Sequence, residues 1–540
     1  MSLSCRFSSP LPVWHRWRRK LVTFLAVLLL CPLVLPAVAN ARTDTPKPTE
    51  SIQPYLDRVR SDITEFRLDN GMKFIVLERH RAPVVSFLTY ADVGGVDEPE
   101  GKTGEAHFLE HLAFKGTTRI GTSNWEAEKP LLDRLDRLAA QIQAAKAGGK
   151  QAEVAKLQEE FNRVEAEASK YQKQNELGRI VEQAGGVGLN ANTSTDATRY
   201  FYSFPSNKLE LWMSLESERF LDPVFREFYK EKEVILEERR LRTDNSPSGQ
   251  LFEAFQDAAY KKHPYRRPVI GYNQDIRNLT REDVQRFFDT YYVPSKLTMA
   301  VVGDVNPAEV KRLAQIYFGR YKAKSTPASV IPMEPPQKET RQVTLSLTSQ
   351  PVYVEGYHRP GMNHPDNVVY DAISSILSDG RTSRLYKSLV EQQKLAIAAE
   401  GFSGFPGDKY PTLMMFYAQT TPGRTLDEVA AALKKEIDLL KTEPVSNVEL
   451  ERVKKQARVG LLRSLDSNMG MAQNLLEYQV KTGSWRNLFK ELDAIAAITP
   501  ADIQRVSRAT FQPSNLTIGR LLPKQQGEIQ QPKSAEGRKE

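Results

Sequence analysis

Apolar positions recur with a period of two in some stretches and at helical spacing in others, and the order of these stretches is repeated. The first series opens with a hairpin signal, because Asp69-Asn70-Gly71 separates two alternating runs. The stretches that follow are a strand at 84–93, strands between 189 and 204, helices at 207–220 and 223–243, and a strand at 297–302. The second series has strands at 342–357, helices at 365–378 and 382–393, a strand at 411–419, helices at 425–441, 447–464 and 468–481, and a strand at 514–521. This repetition predicts an α+β fold of two homologous domains, each a mainly antiparallel sheet with helices.

Composition indicates where the domains begin and end. The stretch 321–340 carries four prolines among serines and lysines, which is typical of a linker. The predicted segments are a signal peptide at 1–41, a tether at 42–60, a first domain at 61–320, the linker at 321–340, a second domain at 341–522 and a disordered polar tail at 523–540. A chain of 540 residues is long enough to bury two such cores.

One stretch of the first domain, 126–172, differs from the rest. It is rich in charge and alanine, and its leucines recur at helical spacing on both sides of Gly148-Gly149. This pattern predicts an inserted helical hairpin. It is either an antiparallel coiled coil that projects from the domain or a pair of ordinary packed helices, and neither form carries chemistry.

The N-terminal segment has the pattern of an export signal. A basic stretch, Arg16 to Lys20, precedes an apolar run from Leu21 to Pro36, and small residues follow up to Ala41. Cleavage would leave no stable membrane span and a periplasmic or extracellular protein. The alternative is an uncleaved membrane anchor, because the apolar run is long.

Charge and cysteine content exclude several classes of function. Five basic residues and no acidic ones lie within the first 41 residues, so the formal net charge of +8 falls to +3 once five are removed. A charge of this size argues against nucleic-acid binding. Both cysteines, Cys5 and Cys31, also lie in this segment. The mature chain therefore has no disulfide, thiolate metal site or cysteine nucleophile.

Two histidines, His107 and His111, are spaced four residues apart in a segment of good helix formers. Positions i and i+4 share one face of a helix, so both imidazoles can reach one cation. Glu110 borders the same face and can take a proton from a metal-bound water, whose pKa zinc lowers to about 7. The alternative is a pair of ordinary helix histidines beside a surface glutamate. The apolar neighbours Phe108 and Leu112 favour metal binding, because buried imidazoles need partners.

A catalytic zinc takes three protein ligands, and the third is expected on another helix. The helix Phe228 to Arg240 places Glu231 and Glu238 seven residues apart, which is two helical turns. Glu238 is therefore the candidate ligand, and Glu231 is a supporting or alternate carboxylate. On its own this segment also fits a solvated, charged helix, so the prediction depends on the histidine pair.

The motif His107-Phe108-Leu109-Glu110-His111 has the inverted zinc pattern of the inverzincins. From about residue 60 to 522 the chain resembles the pitrilysin, insulin-degrading enzyme and mitochondrial processing peptidase family. The helix from Glu231 to Glu238 is similar to the family segment that holds a supporting carboxylate and the third ligand. The resemblance implies a clam-like pair of domains and one Zn²⁺ per chain. It also implies an extended peptide substrate paired with the strand Asn190-Ala191-Asn192-Thr193.

The chain departs from that family in two places. The interval between His111 and Glu238 is longer than usual, and the predicted hairpin accounts for the difference. The second domain of the family commonly supplies an arginine and a tyrosine that stabilise the oxyanion, whereas Val390 and Ile397 stand at those positions here. Neither side chain can donate a hydrogen bond, and a missing oxyanion donor costs about 3 kcal/mol in the barrier.

The sequence therefore predicts an exported zinc endopeptidase or oligopeptidase that cleaves unfolded peptides, with Glu110 as the general base. A related chain that supplies the Arg/Tyr pair is the expected partner, and a homodimer is the other possibility. The alternative function is a non-catalytic or partner-dependent subunit of a heterodimeric peptidase. Metal content and the effect of Glu110→Gln separate these functions.

Overall fold

The computed structural model describes residues 53–327 and 330–524. The strands are β1 (Ile63–Arg67), β2 (Lys73–Glu78), β3 (Val84–Ala91), β4 (Val187–Thr193), β5 (Thr198–Pro205), β6 (Leu297–Gly303), β7 (Arg341–Leu347), β8 (Val352–Arg359), β9 (Ala396–Phe405), β10 (Thr412–Thr420) and β11 (Leu516–Pro523). The first group of helices is α1 (Gln53–Ser61), α2 (Glu105–Leu112), α3 (Trp125–Ala147), α4 (Gln151–Ala168), α5 (Glu176–Gln183), α6 (Leu209–Leu221), α7 (Phe228–Arg239), α8 (Pro247–Ala259), α9 (Asn273–Asn278), α10 (Arg281–Tyr291) and α11 (Pro307–Tyr317). The second group is α12 (Asn367–Ser378), α13 (Leu426–Thr442), α14 (Asn447–Ser464), α15 (Asn468–Thr482), α16 (Asn487–Ala497) and α17 (Pro500–Thr510). Two π-helical turns lie at Arg240–Asp244 and Tyr386–Gln392.

The two sheets have the same topology. The first has the order β1-β2-β6-β3-β5-β4, and the second has the order β7-β11-β8-β10-β9. In each sheet the pair that joins the early strand to the last one, β2 with β6 and β7 with β11, is parallel, and the other pairs are antiparallel. The second sheet therefore repeats the first without a counterpart of β1. This confirms the predicted α+β fold of two homologous domains with mainly antiparallel sheets.

Each sheet is covered in part by a helix from the other domain. Helix α8 of the first domain packs on β7 and β11, and Leu251 and Phe255 belong to a core cluster with second-domain residues. Gly356 makes room for this helix, since a Cβ atom there would lie 2.8 Å from the Phe255 ring. Helix α15 of the second domain packs in the same way across β3 and β6. The two domains are therefore interlocked.

The predicted insertion is a helical hairpin formed by α3 and α4, and its base is packed into the first domain. Phe161 of α4 contacts the ring of Tyr229 on α7 edge-on, and the Tyr229 hydroxyl donates to Asp136 at 2.9 Å. Glu128 of α3 is fully buried and accepts from Nε of Arg226 at 3.0 Å and 3.2 Å. The hairpin therefore packs against α7, the helix that carries Glu231 and Glu238.

The buried Arg226 also holds the loop that follows α2. Its guanidinium donates to the carbonyl oxygens of Lys115 (2.9 Å), Thr117 (2.7 Å) and Ile120 (3.1 Å). One side chain thus connects the inserted hairpin, helix α7 and the segment after the histidine pair.

Some segments differ from the sequence-based expectation. The predicted tether 42–60 overlaps helix α1, which forms because Leu56 and Val59 share a buried face. Strand β9 and helices α8, α16 and α17 were not among the predicted elements. The predicted signal peptide and nearly all of the predicted tail lie outside the described residues. Within the described ranges, none of the helices combines the length and the apolar character that a membrane crossing requires.

Candidate metal centre

Helix α2 begins at a position fixed by a distant carboxylate. Its N-cap is Gly104, which has a left-handed φ of 94° and no side chain to cap the helix. Glu98 supplies the cap instead, since its carboxylate accepts from the backbone N–H groups of Gly104 (3.0 Å) and Ala106 (2.9 Å). Burial raises the pKa of Glu98 to about 8. The buried side chain of Glu98 therefore fixes where α2 begins, and with it the direction of both histidines.

His107, His111 and Glu238 converge as the sequence predicts. Oε2 of Glu238 lies 3.7 Å from Nε2 of His107 and 3.6 Å from Nε2 of His111. These separations exceed hydrogen-bond distance, but they suit two atoms that are bound to one ion. Tetrahedral zinc with ligands at about 2.1 Å separates ligand atoms by roughly 3.4 Å. In the described part of the chain this is the one group of three such residues with donor atoms within 4.8 Å of one another.

His107 gives an independent test of the fit to zinc. Its imidazole is 6% exposed, and its Nδ1 has no hydrogen-bond partner among the described residues. Burial, helped by the nearby His111 and Arg242, holds the pKa of His107 well below its usual value. The ring is therefore neutral, as a metal ligand must be, and Nε2, which lies 3.7 Å from Oε2 of Glu238, is the nitrogen that could bind a cation.

A second carboxylate supports the histidine pair from behind. Nδ1 of His111 donates to Oε2 of Glu231 at 3.2 Å, and Nζ of Lys115 contacts Oε1 of Glu231 at 2.5 Å and Glu227 at 2.9 Å. Burial alone would raise the pKa of Glu231, but the bonds from His111 and Lys115 outweigh it and lower that pKa. Glu231 thus stays ionised and fixes the tautomer of His111, with the proton on Nδ1 and the lone pair on Nε2.

Glu110 lies on the same face but is separate from the triad. Its side chain is 3% exposed, and its Oε2 accepts from Oγ1 of Thr193 at 2.5 Å. Burial raises the pKa of Glu110, although the Thr193 bond and His111 act in the opposite direction. A carboxylate with a raised pKa, anchored by one hydroxyl, suits proton transfer near neutral pH.

The strand expected to bind substrate forms the open edge of the first sheet. β4 pairs with β5 on one side, and helix α2 packs beside it. Asn190 and Asn192 are exposed, whereas Ala191 is buried. Thr193 differs from the expectation, because its side chain bonds to Glu110 rather than remaining available to a substrate. The sequence offered no signal for this contact, since β4 and α2 are far apart in the chain.

Val390 and Ile397, which stand at the positions of the family's Arg/Tyr pair, cannot form hydrogen bonds through their side chains. Val390 is in the π-helical turn Tyr386–Gln392 and packs against the core of the second domain. Ile397 is on β9 and is 51% exposed. Neither side chain can therefore replace the arginine or the tyrosine that the family commonly has at these positions.

Comparison with known proteins identifies the family. Residues 74–160 and 162–272 match the sequence model described as insulinase (peptidase family M16), and residues 278–457 match one described as the peptidase M16 inactive domain. The chain belongs to the M16 peptidase family. This M16 chain is 29% identical over 487 residues to the zinc protease PqqE of Helicobacter pylori, across 87% of this chain and 94% of that protein.

Solved structures show the same M16 fold. A protease from Helicobacter pylori superposes with a TM-score of 0.72 at 26% identity, covering 85% of this chain and 99% of that one. The periplasmic protease PqqL of Escherichia coli superposes with a TM-score of 0.64 at 16% identity, covering 85% of this chain but 47% of that chain. The expected clam-like pair of homologous domains agrees with this fold. One M16 chain of the present size thus corresponds to about half of PqqL.

Helix α12 follows β8 in the second sheet as α2 follows β3 in the first, but it carries no histidine. Asp371 and Ser375 are spaced four apart on α12, and Ser375 precedes Gly380 by five residues, as His111 precedes Gly116. Between α12, α14 and α16 is a cavity of about 270 Å³, lined by both residues and by Gly460. The chain therefore carries the histidine pair in the first domain alone, in accord with the description of the second family match.

Proposed function

We propose that this M16 chain is a zinc-dependent endopeptidase or oligopeptidase that cleaves unfolded peptides. The observation that carries the proposal is the convergence of His107 and His111 on α2 with Glu238 on α7, with the carboxylate of Glu110 nearby but outside the donor set. Three protein ligands with one position left open are the pattern of a catalytic rather than a structural zinc.

The side chains divide the work of hydrolysis among themselves. Zinc, when bound by His107, His111 and Glu238, would supply Lewis-acid chemistry to a water and to the scissile carbonyl. Glu110 would accept the proton of the attacking water and pass it to the leaving amine, while the Thr193 hydroxyl keeps its carboxylate in place. The open edge of β4 would align an extended peptide through main-chain hydrogen bonds, which require little side-chain specificity.

The test is hydrolysis of a quenched fluorescent peptide by the purified chain lacking residues 1–41, with the zinc content measured on the same sample. We expect about one zinc per chain. Chelation should abolish hydrolysis and added Zn²⁺ should restore it, because none of these side chains can act as a Lewis acid in place of the ion. A chain that contains no zinc, or hydrolysis that survives complete chelation, would contradict the proposal.

We further propose that a second M16 chain completes the site. Two observations support this: the chain corresponds to about half of PqqL, and Val390 and Ile397 provide no donors for an oxyanion. A related chain with an Arg/Tyr pair at these positions is favoured over a second copy of this chain, which would bring the same two apolar residues. The N-terminal pattern and the periplasmic PqqL structure support an exported location for the assembly.

Reconstitution distinguishes the partner-dependent enzyme from a self-sufficient one. Addition of a related M16 chain that carries the Arg/Tyr pair is expected to raise the hydrolysis rate by about 10²-fold or more, which is the usual effect of one oxyanion donor. The partner variant with both residues replaced by Val and Ile is the matched control, and it should bind without stimulating. Equal rates with and without the partner would show that this chain works alone.

A further inference from the structure

The two oxygens of Glu238 face different neighbours. Oε2 points at the histidine pair, whereas Oε1 forms an ion pair with a guanidinium nitrogen of Arg242 at 2.7 Å. The Glu238 side chain is 12% exposed and that of Arg242 is 47% exposed, so the pair lies at the solvent side of the metal centre. An exposed ion pair contributes little to stability by itself, so its geometry at the site is the informative feature.

The backbone at Arg242 is held in place by hydrogen bonds of the neighbouring residue Arg239. Arg242 lies in the π-helical turn Arg240–Asp244, directly after α7. Arg239, next to this turn, is buried and donates to both oxygens of Glu253 (2.9 Å and 3.1 Å) and to the carbonyl oxygen of Gly271 at 2.6 Å. Short π-helical turns inside helices occur often at functional sites. The turn therefore presents Arg242 to Glu238 from an anchored position.

The orientation of Glu238 matters for the coordination number of the metal. A carboxylate with both oxygens available can rotate and bind an ion through two atoms, which would use the position that a water needs. An oxygen that is ion-paired with a guanidinium is less available to the ion, so the carboxylate would supply one atom and the coordination would stay open. Arginine suits this task because its charge is permanent and its planar group matches a carboxylate.

We propose that Arg242 is a positioning residue that holds Glu238 as a one-oxygen ligand of the metal. The inference rests on the proposed zinc site and adds Arg242 to it. This arginine acts through Glu238.

The experiment compares Arg242→Gln and Arg242→Met with Arg240→Gln in the full mature chain. Arg240 is the matched control, since it is in the same turn, is 56% exposed and pairs with the exposed Glu237 at 2.5 Å. Zinc affinity is measured by competition with a chromophoric chelator, and the visible spectrum of the cobalt form reports coordination number. We expect both Arg242 variants to bind zinc 10–100-fold more weakly and to show a changed cobalt spectrum. Arg240→Gln should match the parent chain in both measurements.

Kinetics add a readout that a merely structural role would not change. At saturating zinc the Arg242 variants should lose kcat with KM unchanged, and Arg242→Lys should recover part of the zinc affinity because it keeps the charge but not the planar fork. Parent-like affinity and cobalt spectrum in either Arg242→Gln or Arg242→Met would overturn the inference, so one folded variant suffices. Absence of zinc from the parent chain would instead overturn the proposed function.

Discussion

Replacement of Glu110 by glutamine is expected to lower kcat for peptide hydrolysis by about 10²–10⁴-fold while zinc remains bound. Glutamine has the same shape and can still accept the hydrogen bond that Thr193 donates at 2.5 Å. It cannot accept a proton from the attacking water, so the loss falls on the chemical step. The measurement is steady-state hydrolysis of a quenched fluorescent peptide, with the zinc content determined in parallel.

Glu105→Gln is the matched control for this variant. Glu105 lies on the same helix and is 2% exposed, and burial raises its pKa to about 8, so at neutral pH it is already largely uncharged. Glutamine is a close substitute for such a group, and hydrolysis should continue at the parental rate. A zinc-loaded Glu110→Gln chain that hydrolyses peptide as fast as the parent would rule out Glu110 as the general base.

Replacement of Glu128 by glutamine is expected to destabilise the first domain by about 3–5 kcal/mol. The cause is the partner that remains, because Arg226 is 2% exposed and loses its one carboxylate. The urea midpoint of unfolding, followed by tryptophan fluorescence, should fall, and Trp125 is a suitable reporter since the Arg226 guanidinium lies 5.8 Å from its ring. Zinc retention should weaken as well, because Arg226 holds the loop that follows the histidine pair.

Two further variants separate the lost charge from general damage to the hairpin. Glu160→Gln removes an exposed ion pair with Arg134 on the same hairpin and should leave the midpoint unchanged. The double variant Glu128→Leu/Arg226→Met leaves no unpaired charge but removes the donor to the carbonyl oxygens of Lys115, Thr117 and Ile120, so it should recover only part of the loss. A Glu128→Gln chain as stable as the parent would contradict this account of the buried pair.

The sequence was most informative where function depends on short spacing along one helix. The i, i+4 spacing of His107 and His111 and the two-turn spacing of Glu231 and Glu238 each determine which side chains share a face. Once α2 and α7 pack together, these faces meet. The geometry of the triad therefore followed from local periodicity together with one long-range contact.

The features that the sequence did not reveal depend on contacts between distant segments. The sequence predicts Thr193 only as part of the substrate-binding strand and indicates no role for Arg226, and the importance of both comes from the groups that the fold places beside them. Strand β9, Ala396–Phe405, was not predicted because alanine, glycine and serine replace the alternating β-branched residues that mark most strands. Only its register with β10 makes it a strand.

The exchange of helices between the domains has a consequence for the order in which the protein can fold during synthesis. The first sheet is complete in the chain once Gly303 has been made, but helix α15, which packs across β3 and β6, begins at Asn468. Contacts of such long sequence separation form late, and a nascent first domain would leave this face of its sheet uncovered. Because β3 leads into the segment that ends at the histidine pair, the metal centre gains its full support only when synthesis is nearly finished. The proposed hydrolytic centre would therefore take its final form only after the whole chain has been synthesised.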